Sequence, residues 1–180
     1  MLNFEEISCK YIKLRKILNS DIDDIKDVRR KGENEGFLTK TPDDLQVFSS
    51  WLDDESNNPT TLYLAILDDQ KKFIGTVRII AIDKNVFEWG SWALKSNLGV
   101  IISLNSIYAV YKIAIEVFKF NSCEFKVKSH NKSVLNLHIK SGASIIEVKE
   151  DLIYFKIERK MIINFLKKYE NKFGNLVIVQ

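Results

Sequence analysis

Residues 73–94 read FIGTVRIIAIDKNVFEWGSWAL. The stretch holds two runs dense in β-branched and aromatic side chains, Phe73–Ile82 and Val86–Leu94, with Asp83-Lys84-Asn85 between them. Such runs suit the pleated surface of a sheet, and Asp-Lys-Asn is turn chemistry. A turn this short joins only antiparallel neighbours, because parallel strands need a long crossover. Just upstream, Leu62–Leu67 is a further apolar run, and LDDQKKF is a hairpin connection leading into Phe73. Three strands joined by short turns predict an antiparallel meander. The chain is therefore read as mixed α+β around a mostly antiparallel sheet flanked by helices.

Working toward the C-terminus, SLNSIYAVYKIAIEVF (103–118) predicts a long helix with Ile107, Val110, Tyr111, Ala114, Val117 and Phe118 on one broad apolar face. SCEFKVKS (122–129) alternates Cys123, Phe125 and Val127 against Glu124, Lys126 and Lys128, which predicts a strand. NKSVLNLHIKSGA (131–143) predicts a short helix that starts at Asn131 and is ended by Gly142. SIIEVKEDLIYFKIER is a hairpin turning near Glu150-Asp151, Met161–Tyr169 a terminal helix, and NLVIV an extra strand or a tail.

Working toward the N-terminus, YIKLRKI (11–17) alternates as a strand. NSDIDDIKDVRRKGE predicts a helix with Ile22, Ile25 and Val28 as its apolar stripe. Ser20 caps it, Asp23 and Asp24 suit its positive end, Arg29, Arg30 and Lys31 suit its negative end, and Gly32 stops it. Residues 33–41 are a loop. A second helix begins around Thr41-Pro42-Asp43-Asp44, with Pro42 at its first position and Leu45, Phe48, Trp51 and Leu52 at helical spacing. The order βα α βββ α β α ββ shows no repeat, low-complexity tract or linker, so residues 1–180 are read as one domain.

Composition narrows the function classes. A hydrophobic content of 46% and a charged content of 28% describe a soluble globular chain with an ordinary core. The net charge of +3 is too small, and the lysines too scattered, to argue for a nucleic-acid partner. Two cysteines, Cys9 and Cys123, make no disulfide framework and no metal spacing, and read as free thiols in a reducing cytoplasm. The first residues have no apolar run fit for a signal peptide, and no stretch is expected to span a bilayer. No nucleophile triad, metal cluster or nucleotide P-loop is present.

Four stretches together resemble the GNAT superfamily of acyl-CoA N-acyltransferases. FIGTVRI (73–79) resembles the strand that Ile-Gly opens. FEWGSWAL (87–94) is similar to the following strand, E-x-G-[YF]-x-[LV]. SLNSIYAVYKIAIEVF resembles the long helix behind the cofactor. NKSVLNLHIKSGA matches the closing helix, N-x-x-[AS]-x-x-x-[YF]-x-x-x-G-[FA]. The resemblance covers roughly residues 10–158 and lies in the order of motifs, each weak alone. It implies a sheet splayed at a slot for acetyl-CoA. A narrower likeness, carried by GSWAL and NLHIKSGA, is to a branch associated with bacterial surface polysaccharides and the acetylation of nucleotide-linked amino sugars. One departure stands out. The family's Gly-rich phosphate loop is here KSNLGVIISLNS, with Gly99 as its single glycine. β-branched Ile disfavours positive φ, so the cofactor is expected either to meet the backbone of Ile101, Ile102, Ser103 and Leu104 weakly or in an altered pose, or not to bind at all.

The resemblance also assigns roles. Asn131 contacts the pantetheine arm, which also uses backbone groups of Trp92, Ala93 and Leu94. His138 stands where the family often has a Tyr that protonates the departing sulfur. Asn131 and His138 are two helical turns apart, on one face, separated by roughly 10 Å along the axis. Read from residues alone, His138 is a core histidine bonded to a carbonyl, and Asn131 a helix cap. Glu88 is the expected general base, or else an outward-facing strand carboxylate. Phe37 and Trp89 are expected to line the acceptor pocket; Glu33, Asn34 and Glu35 lie where the family meets its acceptor, and Trp51 reads as core. The lysines of KVKSHNK either meet the cofactor's 3′-phosphate or form a solvated rim.

The function this implies is a cytoplasmic N-acetyltransferase acting by direct attack of a small amine on acetyl-CoA. Two rivals are a protein N-terminal acetyltransferase and a non-catalytic binding or assembly module on the same scaffold. The last twenty residues offer a homodimer contact.

Overall fold

The meander forms the middle of a larger sheet. In the computed structural model, which describes residues 4–30 and 42–180, β3 (Thr61–Leu67), β4 (Phe73–Ala81) and β5 (Val86–Leu94) are consecutive antiparallel neighbours. β2 (Ile12–Lys16) and β1 (Glu6–Cys9) extend the sheet on one side. β6 (Ser122–Lys128), β8 (Leu152–Glu158) and β7 (Ser144–Lys149) extend it on the other. The terminal NLVIV supplies a strand rather than a tail. β9 (Val177–Val179) pairs with β1, giving nine strands in the order β7-β8-β6-β5-β4-β3-β2-β1-β9.

Strand alternation divides the side chains between two helical layers. Leu14, Leu64, Val77, Phe87 and Trp89 face α3 (Gly99–Lys112) and α5 (Arg159–Phe173), and α4 (Lys132–Lys140) joins that layer through Leu135 and His138. Tyr63, Ala65, Leu67 and Ala93 face α1 (Ile22–Arg30) and α2 (Leu45–Asn57), which deliver Ile25, Val28, Phe48 and Leu52. Trp51 stacks on Phe48 at 5.6 Å, consistent with its reading as core.

Several boundaries move for identifiable reasons. A single 3₁₀ turn, Asn19–Asp21, precedes α1, and the cap is Asp21, whose carboxylate accepts from the Leu18 N–H and both Arg15 guanidinium nitrogens. α2 starts three residues after Pro42, because Asp44 accepts from the N–H groups of Gln46 and Val47. The long helix begins at Gly99, four residues earlier than expected, and widens into a π segment at Ile113–Val117. Its stretch Gly99–Val117 is long and apolar enough to cross a membrane by length and composition, contrary to expectation. Most of its apolar surface is instead inside the molecule. The last twenty residues pack on the chain's own fold, α5 against α3 and β9 against β1.

Candidate active site

The only parallel neighbours in the described sheet are β5 and β6, and they pair at just Val86–Ser122 and Phe87–Cys123. Beyond those two positions the strands separate. β5 continues to Leu94 and β6 to Lys128, with a cavity of about 1400 Å³ between β5, β6, α3, α4 and α5. The sheet is therefore splayed, as a GNAT slot requires.

The near wall is a distorted strand. Thr76 is opposite Ala93 and Arg78 opposite Gly90, so Ser91 and Trp92 together oppose the single residue Val77. This is a β-bulge, a device that re-aims backbone groups. Ser91 has φ +47°, a left-handed conformation that costs a non-glycine residue about 1–2 kcal/mol. The buried Thr76 hydroxyl donates to the Ser91 carbonyl at 2.7 Å. In a trans peptide the following N–H points opposite to that carbonyl. The Trp92 N–H is thus aimed away from Thr76. The Trp92 indole donates to Ser106 Oγ at 3.0 Å, and Ser106 donates in turn to the Ser103 carbonyl, which ties the bulge to the first turns of α3.

The far end of the slot is the start of α3. Asn97 (φ +67°) and Gly99 (φ +78°) are left-handed, and Leu98 between them is right-handed. Alternating hands of this kind turn successive N–H groups into one concavity, and the first N–H groups of a helix lack intrahelical partners. The positive φ expected to strain an Ile in this loop does not arise. The left-handed positions are Asn97 and Gly99, and Ile101 and Ile102 are already helical. Of the four residues expected to contact phosphate, Ser103 and Leu104 line the cavity; Ile101 is exposed and Ile102 packs on the core. Ile101 and Ile102 bring only backbone N–H groups to that helix end.

α4 forms the second wall. Asn131 caps it, its side-chain oxygen accepting from the Val134 N–H at 3.2 Å, and it also borders the cavity. Gly142 ends the helix at φ +91°, where an added Cβ would meet Met161 of α5 at 2.5 Å.

His138 lies in the floor, 4% exposed, its ring 4.2 Å from Phe125, 5.4 Å from Trp89 and 6.1 Å from Phe155. Burial among these rings pushes its pKa down to about 3. The imidazole is therefore neutral at physiological pH. What it can offer is a hydrogen bond from a neutral ring N–H.

Glu88 and Ala93 are not brought to the cavity, which Trp89 lines. Ala93 is buried toward α1 and α2, outside the cavity lining. Glu88 is half-buried beside Ile80, on the face opposite Trp89 and also outside that lining. Trp89 lines the cavity as part of an aromatic floor with Trp92, Tyr111, Phe125 and His138. Phe37 lies outside the described residues, as do Glu33, Asn34 and Glu35.

Sequence reading named Lys126 and Lys132, in KVKSHNK, as candidates for the cofactor's 3′-phosphate but not the other lysines of the cleft. Lys95, Lys126, Lys132, Lys140 and Lys168 border it, and among the described residues no carboxylate does. These lysines come from four regions of the fold and are spread along the chain, so a modest net charge of +3 conceals them. It also missed α5 as a wall, where Asn164, Lys168 and Tyr169 face the cavity.

A splayed sheet, a bulged strand and a lysine-lined helix start define a class. The model of the acetyltransferase (GNAT) domain matches residues 12–144, and the chain belongs to that family. Among solved structures, apo FdhC, a nucleotide-linked sugar GNAT, is similar with a TM-score of 0.83 and 24% identity over 96% of this chain and 100% of that one. A GCN5-related N-acetyltransferase from Brucella melitensis follows at 0.78 and 15%, over 94% and 86% of the two chains. Spermidine N-acetyltransferase from Vibrio cholerae, in complex with CoA and spermine, gives 0.74 and 15% over 85% and 98%. At these identities the likeness is one of fold. No curated protein sequence matches the chain.

Proposed function

We propose that this chain moves an acetyl group from acetyl-CoA to the primary amine of a small acceptor, and that a nucleotide-linked amino sugar is the first acceptor to test. One observation carries the reading. The slot between β5 and β6 runs to the start of α3 and is bordered by five lysines and no described carboxylate. An extended ligand with several phosphates fits that field, with a diphosphate at the N–H groups after Asn97 and a further phosphate among the lysines. The residues present therefore suit acetyl-CoA. Likeness to a nucleotide-linked sugar GNAT over nearly the whole chain supports the acceptor class.

Bound acetyl-CoA supplies an activated thioester carbonyl and a sulfur leaving group. The remaining chemistry belongs to the chain. The Trp92 N–H is fixed before substrate arrives, so it polarises a carbonyl without reorganisation. The Asn131 amide nitrogen is available to an amide-bearing arm, because its oxygen is occupied by the cap. His138 offers the leaving sulfur a hydrogen bond, not a proton. Glu88 is on the opposite face, where an amine entering from the α1–α2 side would meet it, and it accepts the amine's proton. The cytoplasm, where acetyl-CoA is available, is the expected location.

Calorimetry with acetyl-CoA, followed by thiol release with a panel of nucleotide-linked amino sugars, spermidine and N-terminal peptides, tests the proposal. Micromolar binding and turnover with an amino sugar are expected. Absence of binding at high micromolar concentration overturns it in favour of a non-catalytic module. Turnover with only spermidine or a peptide overturns the acceptor class. Glu88→Gln is expected to lower kcat by about a hundredfold or more; an unchanged kcat removes Glu88 as the base.

A further inference from the structure

Thr76 is an anomaly in its strand. It sits in FIGTVRI between Gly75 and Val77 and is 0% exposed. A β-branched apolar side chain would fill the site, whereas a hydroxyl buried there is unfavourable unless bonded. Its bond runs not to its own helix layer but across the ladder to the Ser91 carbonyl, at 2.7 Å. Ser91 is the strand residue of β5 held in the left-handed region, at the point where two residues oppose one. The Tyr63 hydroxyl lies beside Thr76 on its other side, between it and the Arg29 guanidinium of α1.

We infer that Thr76 is a positioning residue for acetyl transfer: its hydroxyl holds the Ser91 carbonyl toward β4 and thereby aims the Trp92 N–H into the slot. The inference rests on the transferase reading above. Thr76 itself touches no substrate. It acts through one peptide plane, because a trans peptide cannot turn its carbonyl without turning the next N–H by the same angle. Removing the hydroxyl frees that plane to relax toward ordinary strand geometry, and the Trp92 N–H then swings toward the ladder. The loss falls on the step in which carbonyl charge develops, not on binding, since the lysines and the start of α3 are untouched.

The test uses Thr76→Val, which keeps shape and removes the hydroxyl, and Thr76→Ser, which keeps the hydroxyl. Thr76→Ala replaces the valine variant if that chain does not fold. Thiol release from acetyl-CoA is followed with the acceptor found in the panel and, as a slower reaction, with water, which yields acetate and free CoA. Thr76→Val is expected to lower kcat between about tenfold and a hundredfold, with KM for acetyl-CoA within about threefold of wild type. Thr76→Ser is expected to stay within about threefold in both. Crystal structures of the two variants give a readout that needs no turnover. Ser91 should leave the left-handed region in the valine variant and remain there in the serine variant. Unchanged kcat in Thr76→Val, a loss confined to KM, an equal loss in Thr76→Ser, or an unchanged Ser91 conformation each overturns the inference. A wild-type chain that binds no acetyl-CoA sinks the transferase reading, and the Ser91 conformations still decide whether Thr76 sets the bulge.

Discussion

The two edges of β5 behave in opposite ways. Toward β4 the strand is paired from Phe87 to Leu94 with one interruption at Ser91-Trp92. Toward β6 it is paired at two residues only. The first edge is closed so tightly that an added Cβ at Gly75 would meet the Ala93 carbonyl at 2.3 Å. The second opens onto a large cavity floored by aromatic rings and one imidazole. The difference teaches that the site is made by withholding a ladder rather than by adding a loop. The closed edge supplies rigidity, the open edge supplies backbone donors, and the bulge is where one is converted into the other.

The largest effect should come from breaking the closed edge. Gly75→Val drives a side chain into the Ala93 carbonyl and the Leu94 methyl, and we expect a loss of about 3 kcal/mol in urea unfolding. A loss below about 0.5 kcal/mol would mean that β4 and β5 can part without harm.

Next comes the floor of the open edge. The pKa of His138 falls to about 3 when folded, against the ordinary value of 6.5. Between those values the unfolded chain binds a proton that the folded chain does not. The contribution of the neutral ring is therefore complete above about pH 6.5 and declines as pH falls toward 3. Wild type should lose about 2 kcal/mol more than His138→Phe between pH 8 and pH 5. Parallel stability curves for the two chains would show that the imidazole titrates normally and is not sealed.

At the bulge itself, Ser91→Val should cost about 1–2 kcal/mol, since a β-branched residue resists the left-handed region, while Ser91→Gly should stay within about 0.5 kcal/mol of wild type. Equal stability of the valine and glycine variants would mean that the left-handed residue is not under strain. The smallest effects belong to the rim. Replacing Lys95 or Lys132 singly with alanine should weaken acetyl-CoA binding about threefold at low salt and less at high salt. Salt-independent binding would take the lysines out of the account.

Most of the fold was legible because it is written in short-range pattern. The meander, the α3 face and the α4 caps are local, and each appears where periodicity and cap chemistry place it. What was missed is long-range. β1 is only four residues and owes its place to pairing with β2 and β9. The start of α3 was displaced because Asn97 was not recognised as the left-handed residue of the turn. In the site, Asn131, His138 and Trp92 could be placed because the closing helix and the strand carry their own signals. The state of His138 could not be read, since it depends on Phe125 and Phe155, which join it only across the sheet. Of the lysine rim only Lys126 and Lys132, close together in KVKSHNK, have a linear signature; Lys95, Lys140 and Lys168 join them only in the fold.

The pairing of β9 with β1 carries a consequence for the order of assembly. Cys9 approaches the carbonyl of Phe173, 164 residues further along, and Lys112 and Tyr108 fasten Asn175 and Gly174 beside it. On a ribosome, the sheet around β5 is free to form while that final segment is still in the exit tunnel. The flank at β1 must wait with an unpaired edge until β9 has emerged. Such late, distant closure is slow and exposed to mispairing, so chaperone dependence should concentrate at the β1 flank and not at the cleft.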